Sequence, residues 1–282
     1  MAYIGTDLFT GNATVAENVK LPTTTSTTGQ IIIGGNPSLH TFGTENLFVG
    51  TNAGNLTLSG SANCALGFQT MEVLTNGGSN CAVGVNSCVS LTSGSTNCAF
   101  GINSLENLVS GNANCALGFS NSNGGAGLNY TGAESNNIVI SNTGVTGDNG
   151  VIRIGDGDQT TCFIAGIAGV TVASSAPVLI NTSTGQLGTI ASTQRLKENI
   201  QPMTDTKILN LKPVTFTFKN DSSKSKQFGL IAEEVAKEMP ELVTVDADGK
   251  PYHVSYHLMP SILLYEMKKL IKRIEVLEAK GE

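Results

Sequence analysis

Asn63–Phe68 reads NCALGF, and the same hexapeptide returns as NCAVGV at 80–85, NCAFGI at 97–102 and NCALGF at 114–119. The interval is 17 residues each time, which is the signature of a repeat architecture. Other positions keep the same step: Gly60, Gly77, Gly94 and Gly111 recur together, as do Leu74, Leu91 and Leu108, and NLFVGT at 46–51 is a degenerate first copy. Each unit supplies two short apolar runs separated by Gly, Ser and Asn, a strand-and-turn pattern.

A unit of this size cannot bury its apolar side except against copies above and below, so the constant step predicts stacking in a β-solenoid or β-roll. Asn and Gly fall at the corners, where Gly takes positive φ without steric cost and stacked Asn side chains bond backbone or each other. The register cysteines Cys64, Cys81, Cys98 and Cys115 are expected to form an inward, reduced column, because a free thiol packs as a small apolar group. No metal site is expected there, since the repeats hold no histidine and no C-x-x-C spacing.

Working outward, charge divides the 282-residue chain near residue 191. Residues 1–191 carry two of its sixteen basic residues, Lys20 and Arg153, and nine of its 22 acidic ones. The first part is a charge-poor chain whose regular apolar positions argue for order, and the second has the balance of an ordinary soluble globular segment. The reading is a mainly β fibre, with a β-rich segment at 1–45, repeats at 46–135 and a β-rich connector at 136–191. A small α+β domain at 192–282 ends in a coiled-coil helix. Asp156 and Asp158 in GDGDQ read as a turn, for two carboxylates without further oxygen ligands fall short of a calcium loop.

The opening MAYIGTDLFTGNATV lacks a basic region followed by an apolar core, and no apolar run approaches membrane-spanning length. Secretion by the general route and membrane insertion are therefore not expected. Several function classes fit poorly. There is no Trp, aromatic residues make up 5%, and His40 is the only His before residue 192, so sugar-stacking platforms and acid/base pairs are scarce. A basic nucleic-acid-binding region is also missing.

The chemistry-bearing motif is ASTQRLKENI at 191–200, in which Ser192 precedes Lys197 by five positions. Downstream come LKPVTFTFK, QFGLIAEEVAKEMPELV, a hairpin pattern VDADGKPYHVSYH, and the helix SILLYEMKKLIKRIEVLEAK. In that helix Leu263, Met267, Leu270, Ile274 and Leu277 alternate spacings of four and three, an a/d heptad widened by Leu264 and Ile271. His253, Tyr256, His257, Glu233 and Glu234 are secondary acid/base candidates, with solvated or structural roles as the plainer reading.

With STQRLKENI, FGLIAEEV and YHL in this order, residues 192–282 resemble the intramolecular chaperone domain at the C-termini of phage endosialidases, tailspikes and tail fibres. Myelin regulatory factor-like proteins carry it too, but their basic DNA-binding region and spanning helix have no counterpart here. The resemblance implies a homotrimer, which sets the strand number of the heptad helix at three. It also implies self-cleavage of the Ala191–Ser192 bond, with Ser192 as nucleophile and Lys197 as its partner. An ammonium cannot take a proton from a hydroxyl, so the dyad works only where Lys197 has lost its proton, as desolvation inside an assembled trimer would favour. The repeats are also similar, more loosely, to the β-roll head of trimeric bacterial adhesins.

The resemblance further implies a virion or virus-like fibre assembled in the cytoplasm. A receptor- or polysaccharide-binding adhesin with an uncleaved, purely trimerising C-terminal domain is the alternative. It would sit at the cell surface or outside by a non-classical route, with a cell-surface receptor or glycan as partner. No cofactor is expected.

Overall fold

Of the two apolar runs in each repeat, one becomes a short strand in the computed structural model, which describes residues 20–120, 124–204, 206–246 and 248–280. In chain order the strands of the first unit are β1 (Ile31–Ile33), β2 (Asn36–His40), β3 (Leu47–Val49), β4 (Cys64–Leu66), β5 (Cys81–Val83), β6 (Cys98–Phe100), β7 (Cys115–Leu117), β8 (Phe119–Ser120), β9 (Gly124–Gly125), β10 (Ile138–Ile140) and β11 (Ile152–Ile154). From β3 through β7 to β10 and β11 every pairing is parallel and in register: Cys64 opposes Cys81, Cys98 and Cys115 follow, then Ile138 and Ile152. This is a β-solenoid over 47–154. Antiparallel β1 and β2 lie on its first rung through pairing of β2 with β3, and β8 with β9 form a small hairpin within the last long coil.

The solenoid holds its interior together in two ways. Phe48, Ala65, Ala82, Ala99, Ala116 and Val139 form an inward column with no exposed surface, faced by Met71, Cys88 and Leu105 and by Leu74, Leu91 and Leu108. Beside it runs a ladder of buried asparagines. Asn46 Oδ1 accepts the backbone N–H and the Nδ2 of Asn63 at 2.8 and 3.1 Å, and the pattern repeats through Asn80, Asn97, Asn114 and Asn137. Each Nδ2 from Asn63 to Asn97 also donates to the carbonyl of the corner glycine one coil on: Gly77, Gly94 or Gly111. A buried amide with all its groups paired costs little and fixes register, so the ladder locks one coil to the next.

The register cysteines do not point inward. Along each strand the side chains alternate, and it is the central Ala that faces the core, while Cys and the following Leu, Val or Phe face out. The physical reason is width: opposite bulky Met71 or Leu74 the coil has room for a methyl group, and the larger residues take the outer face. Cys64 and Cys115 are exposed, Cys81 and Cys98 half-buried, and all six cysteines are free. The one fully buried thiol is Cys88, which shares a position with Met71 and Leu105, and burial pushes it up to about 12.

Tight corners require left-handed backbone, and only part of it falls on glycine. Gly67, Gly84 and Gly101 have φ between 135° and 142°, yet Ala62, Ser79, Thr96 and Ala113 adopt φ of 55–58° immediately before each ladder Asn. At the last rungs a polar cluster closes the solenoid. Arg153 donates to both oxygens of Asp148 at 2.7 Å, and the Tyr130 hydroxyl donates to Asp148 Oδ2 at 3.2 Å.

The chain divides into two units, Met1–Ala165 and Gly166–Glu282. The second contains the hairpin β12 (Leu179–Ile180) with β13 (Leu187–Gly188), the antiparallel pair β14 (Val214–Phe216) with β15 (Gln227–Gly229), and helix α1 (Ala232–Glu238). The hairpin β16 (Val243–Val245) with β17 (Pro251–Val254) follows, and then helix α2 (Met259–Glu278). Its core is small: Ile208, Val235, Met239, Leu242, Val254 and Ile262. The mainly β solenoid followed by a small α+β region is the architecture expected from the sequence. Residues 1–19 of the expected N-terminal β-rich segment lie outside the described residues.

Candidate functional site

Ser192 and Lys197 are brought together by one local device. Gln194–Leu196 form a single 3-10 turn, closed by the N–H of Leu196 to the carbonyl of Thr193 (3.2 Å) and of Lys197 to that of Gln194 (3.0 Å). The turn folds the chain back on itself, so Lys197 Nζ stands 3.0 Å from Ser192 Oγ and donates to it. A spacing of five is thus what one tight turn needs to place an amine beside a hydroxyl. Ala191, Ser192 and Lys197 are all exposed in the single chain. For base catalysis Ser192 Oγ–H would donate to the amine lone pair across this contact.

The flanking segment is unusual in its exposure. Phe163 is 93% exposed, and Ile164, Ile167, Val170, Val172, Ile190, Leu196 and Ile200 are all open to solvent. Exposed apolar surface of this kind is what a contact site presents. The heptad positions share the property. In α2 only Ile262 and Glu266 are buried, whereas Leu263, Met267, Leu270, Ile274 and Leu277 are 46–59% exposed, with Leu264 and Ile271 beside them.

The secondary candidates take ordinary places. The Tyr256 hydroxyl accepts the Leu230 N–H at 2.7 Å, tying the residues after β15 to the turn that leads into α2. His253, His257, Glu233 and Glu234 are all exposed. Asp156 Oδ1 accepts the Asp158 N–H at 3.0 Å within a turn. Among the described residues no group of three His, Cys, Asp or Glu side chains is arranged to hold a metal, and no helix is long and apolar enough to cross a membrane. Sequence reasoning passed over Glu266, which sits buried among exposed heptad positions and accepts the Thr206 hydroxyl at 2.8 Å. It also passed over Asp148 and Arg153, whose one signal is that Arg153 is the lone basic residue between positions 21 and 191.

One comparison with known proteins bears on this segment. Residues 192–244 match the model of a protein family described as chaperone of endosialidase, and the match begins on Ser192. A β-solenoid together with a segment similar to the chaperone-of-endosialidase family fits a tail fibre with a C-terminal chaperone domain. No curated protein and no solved structure matches the chain.

Proposed function

We propose that this chain is a structural fibre or spike protein whose C-terminal domain drives homotrimer assembly and then releases itself by cutting Ala191–Ser192. The observation that carries the reading is the 3.0 Å approach of Lys197 Nζ to Ser192 Oγ at the first residue of the family match. The exposed heptad face of α2 supports the assembly half, since a stripe of this kind is completed by other helices.

The proposed reaction uses the chain's own atoms. Lys197, freed of its proton in a desolvated site, accepts the Ser192 Oγ proton while Oγ attacks the carbonyl carbon of Ala191. The tetrahedral intermediate collapses with loss of the Ser192 nitrogen, which takes the proton, leaving Ala191 esterified to Oγ. Water then hydrolyses the ester, giving the carboxylate of Ala191 and a new chain that starts at Ser192 with its hydroxyl restored. Exposure of the pair in the single chain supports a switch: an amine in water keeps its proton, and burial against neighbouring copies removes that preference. Chemistry then waits for assembly. The fibre would be part of a virion or virus-like particle assembled in the cytoplasm.

Mass spectrometry of the purified product tests the cut directly. Fragments of residues 1–191 and 192–282 are expected, and a second fragment beginning at any residue other than Ser192 refutes the assigned bond.

A further inference from the structure

The outer face of the solenoid's strand sheet is built differently from the rest of the coil. Its first column is Cys64, Cys81, Cys98 and Cys115; its second is Leu66, Val83, Phe100 and Leu117; Phe68, Val85, Ile102 and Phe119 follow at the strand ends. Leu47 precedes the first column and Ile138 and Ile152 continue it, at 43%, 40% and 66% exposure. None of these outward positions carries a charge. Arg153, the charged residue of the seven parallel strands, has the parity of the inward Ala column and is held by Asp148. The other side of the coil presents Thr75, Asn76 and Ser79, then Ser93 and Thr96, all exposed and polar.

Seven rungs at a spacing of about 4.8 Å make this face about 29 Å long. With two to three side chains across, it is on the order of 300–400 Å² of contiguous apolar surface, the scale at which a soluble chain presents a contact site. We propose that this sheet face is where copies of this chain pack against one another along the fibre. The inference rests on the homotrimer reading above. Self-association is favoured over a foreign partner by two features. An uncharged face offers no electrostatic selection for a different molecule, while a copy brings the same uncharged columns. And the same chain carries the exposed heptad of α2, a second apolar stripe that copies of the chain would cover. Cys64 and Cys115, exposed in the single chain, are then covered in the assembly.

The test uses the full chain carrying Ser93→Cys, which places a reference thiol on the polar side. Native mass spectrometry gives the assembly state, and iodoacetamide labelling with peptide mapping gives the rate at each thiol. A trimer in which Cys64 and Cys115 label at least 10-fold more slowly than the reference thiol supports the proposal. So does a return of their reactivity in Phe100→Asp, whose side chain points outward and leaves the coil interior intact. A trimer in which these thiols label as fast as the reference overturns the face assignment and leaves the trimer standing. A monomer overturns the trimer reading and this inference with it.

Discussion

Asn80 Oδ1 accepts two hydrogen bonds from Asn97, from its backbone nitrogen at 3.0 Å and its Nδ2 at 3.1 Å, while Asn80 Nδ2 reaches the Gly94 carbonyl at 2.8 Å. One side chain thus satisfies three groups of the following coil, all in the interior. Asn80→Ala strips partners from them at once. We expect a loss of about 3 kcal/mol or more, read as a lower midpoint in denaturant unfolding. Asn80→Asp should be no milder, since a carboxylate faces the Gly94 carbonyl where the amide donated.

Close stacking sets a second requirement. Gly84 has φ of 136°, and a Cβ there would run into the Gly101 carbonyl of the next coil. Gly84→Ala is expected to cost about 2 kcal/mol or more. Gly157→Ala, where a Cβ meets open space, is the control and should unfold at the wild-type midpoint within error.

Acid should weaken the end of the solenoid first. The Arg153 guanidinium holds the Asp148 carboxyl below the ordinary carboxylate range. The unfolded chain therefore takes up this proton before the folded one as pH falls. The pair's contribution is complete above the unfolded value of about 3.9 and disappears as pH drops toward the folded one. Asp148→Asn should lower stability at neutral pH by about 1.5–3 kcal/mol and flatten the dependence below about pH 4, measured by unfolding across pH.

The dyad separates base from charge. Ser192→Ala and Lys197→Ala should each give full-length chains that still assemble, because neither side chain contributes to the small core around Val235 and Leu242. Lys197→Arg keeps the charge and most of the stem, but a guanidinium does not lose its proton in proteins, so this variant should also stay uncut. Efficient cleavage in it, seen on a denaturing gel, would reduce Lys197 to an electrostatic group.

Assembly and cleavage should fail together. Leu270→Glu with Ile274→Glu places charges on the exposed seam of α2 and spares Ile262, which anchors the helix to its own domain. Native mass spectrometry should report a monomer, and the gel a full-length chain. Complete cleavage in a monomer would end the account in which burial between copies activates the dyad.

The amino-acid sequence by itself determined the coil, because a 17-residue step repeated at Asn, Ala, Gly and Leu allows one economical way to bury a unit too small to fold alone. It also placed the heptad and the Ser192–Lys197 pair, whose spacing is local and needs one turn. Parity was not legible. Cys and Ala alternate along NCALGF, and either could face in; interior width, set by Met71, Leu74 and their counterparts across the coil, decided for Ala. Nor could the left-handed corners at Ser79 and Thr96, or the closing cluster of Tyr130, Asp148 and Arg153, be read from residue types. They depend on where the neighbouring coil stands, and only the stacked tertiary structure supplies that neighbour.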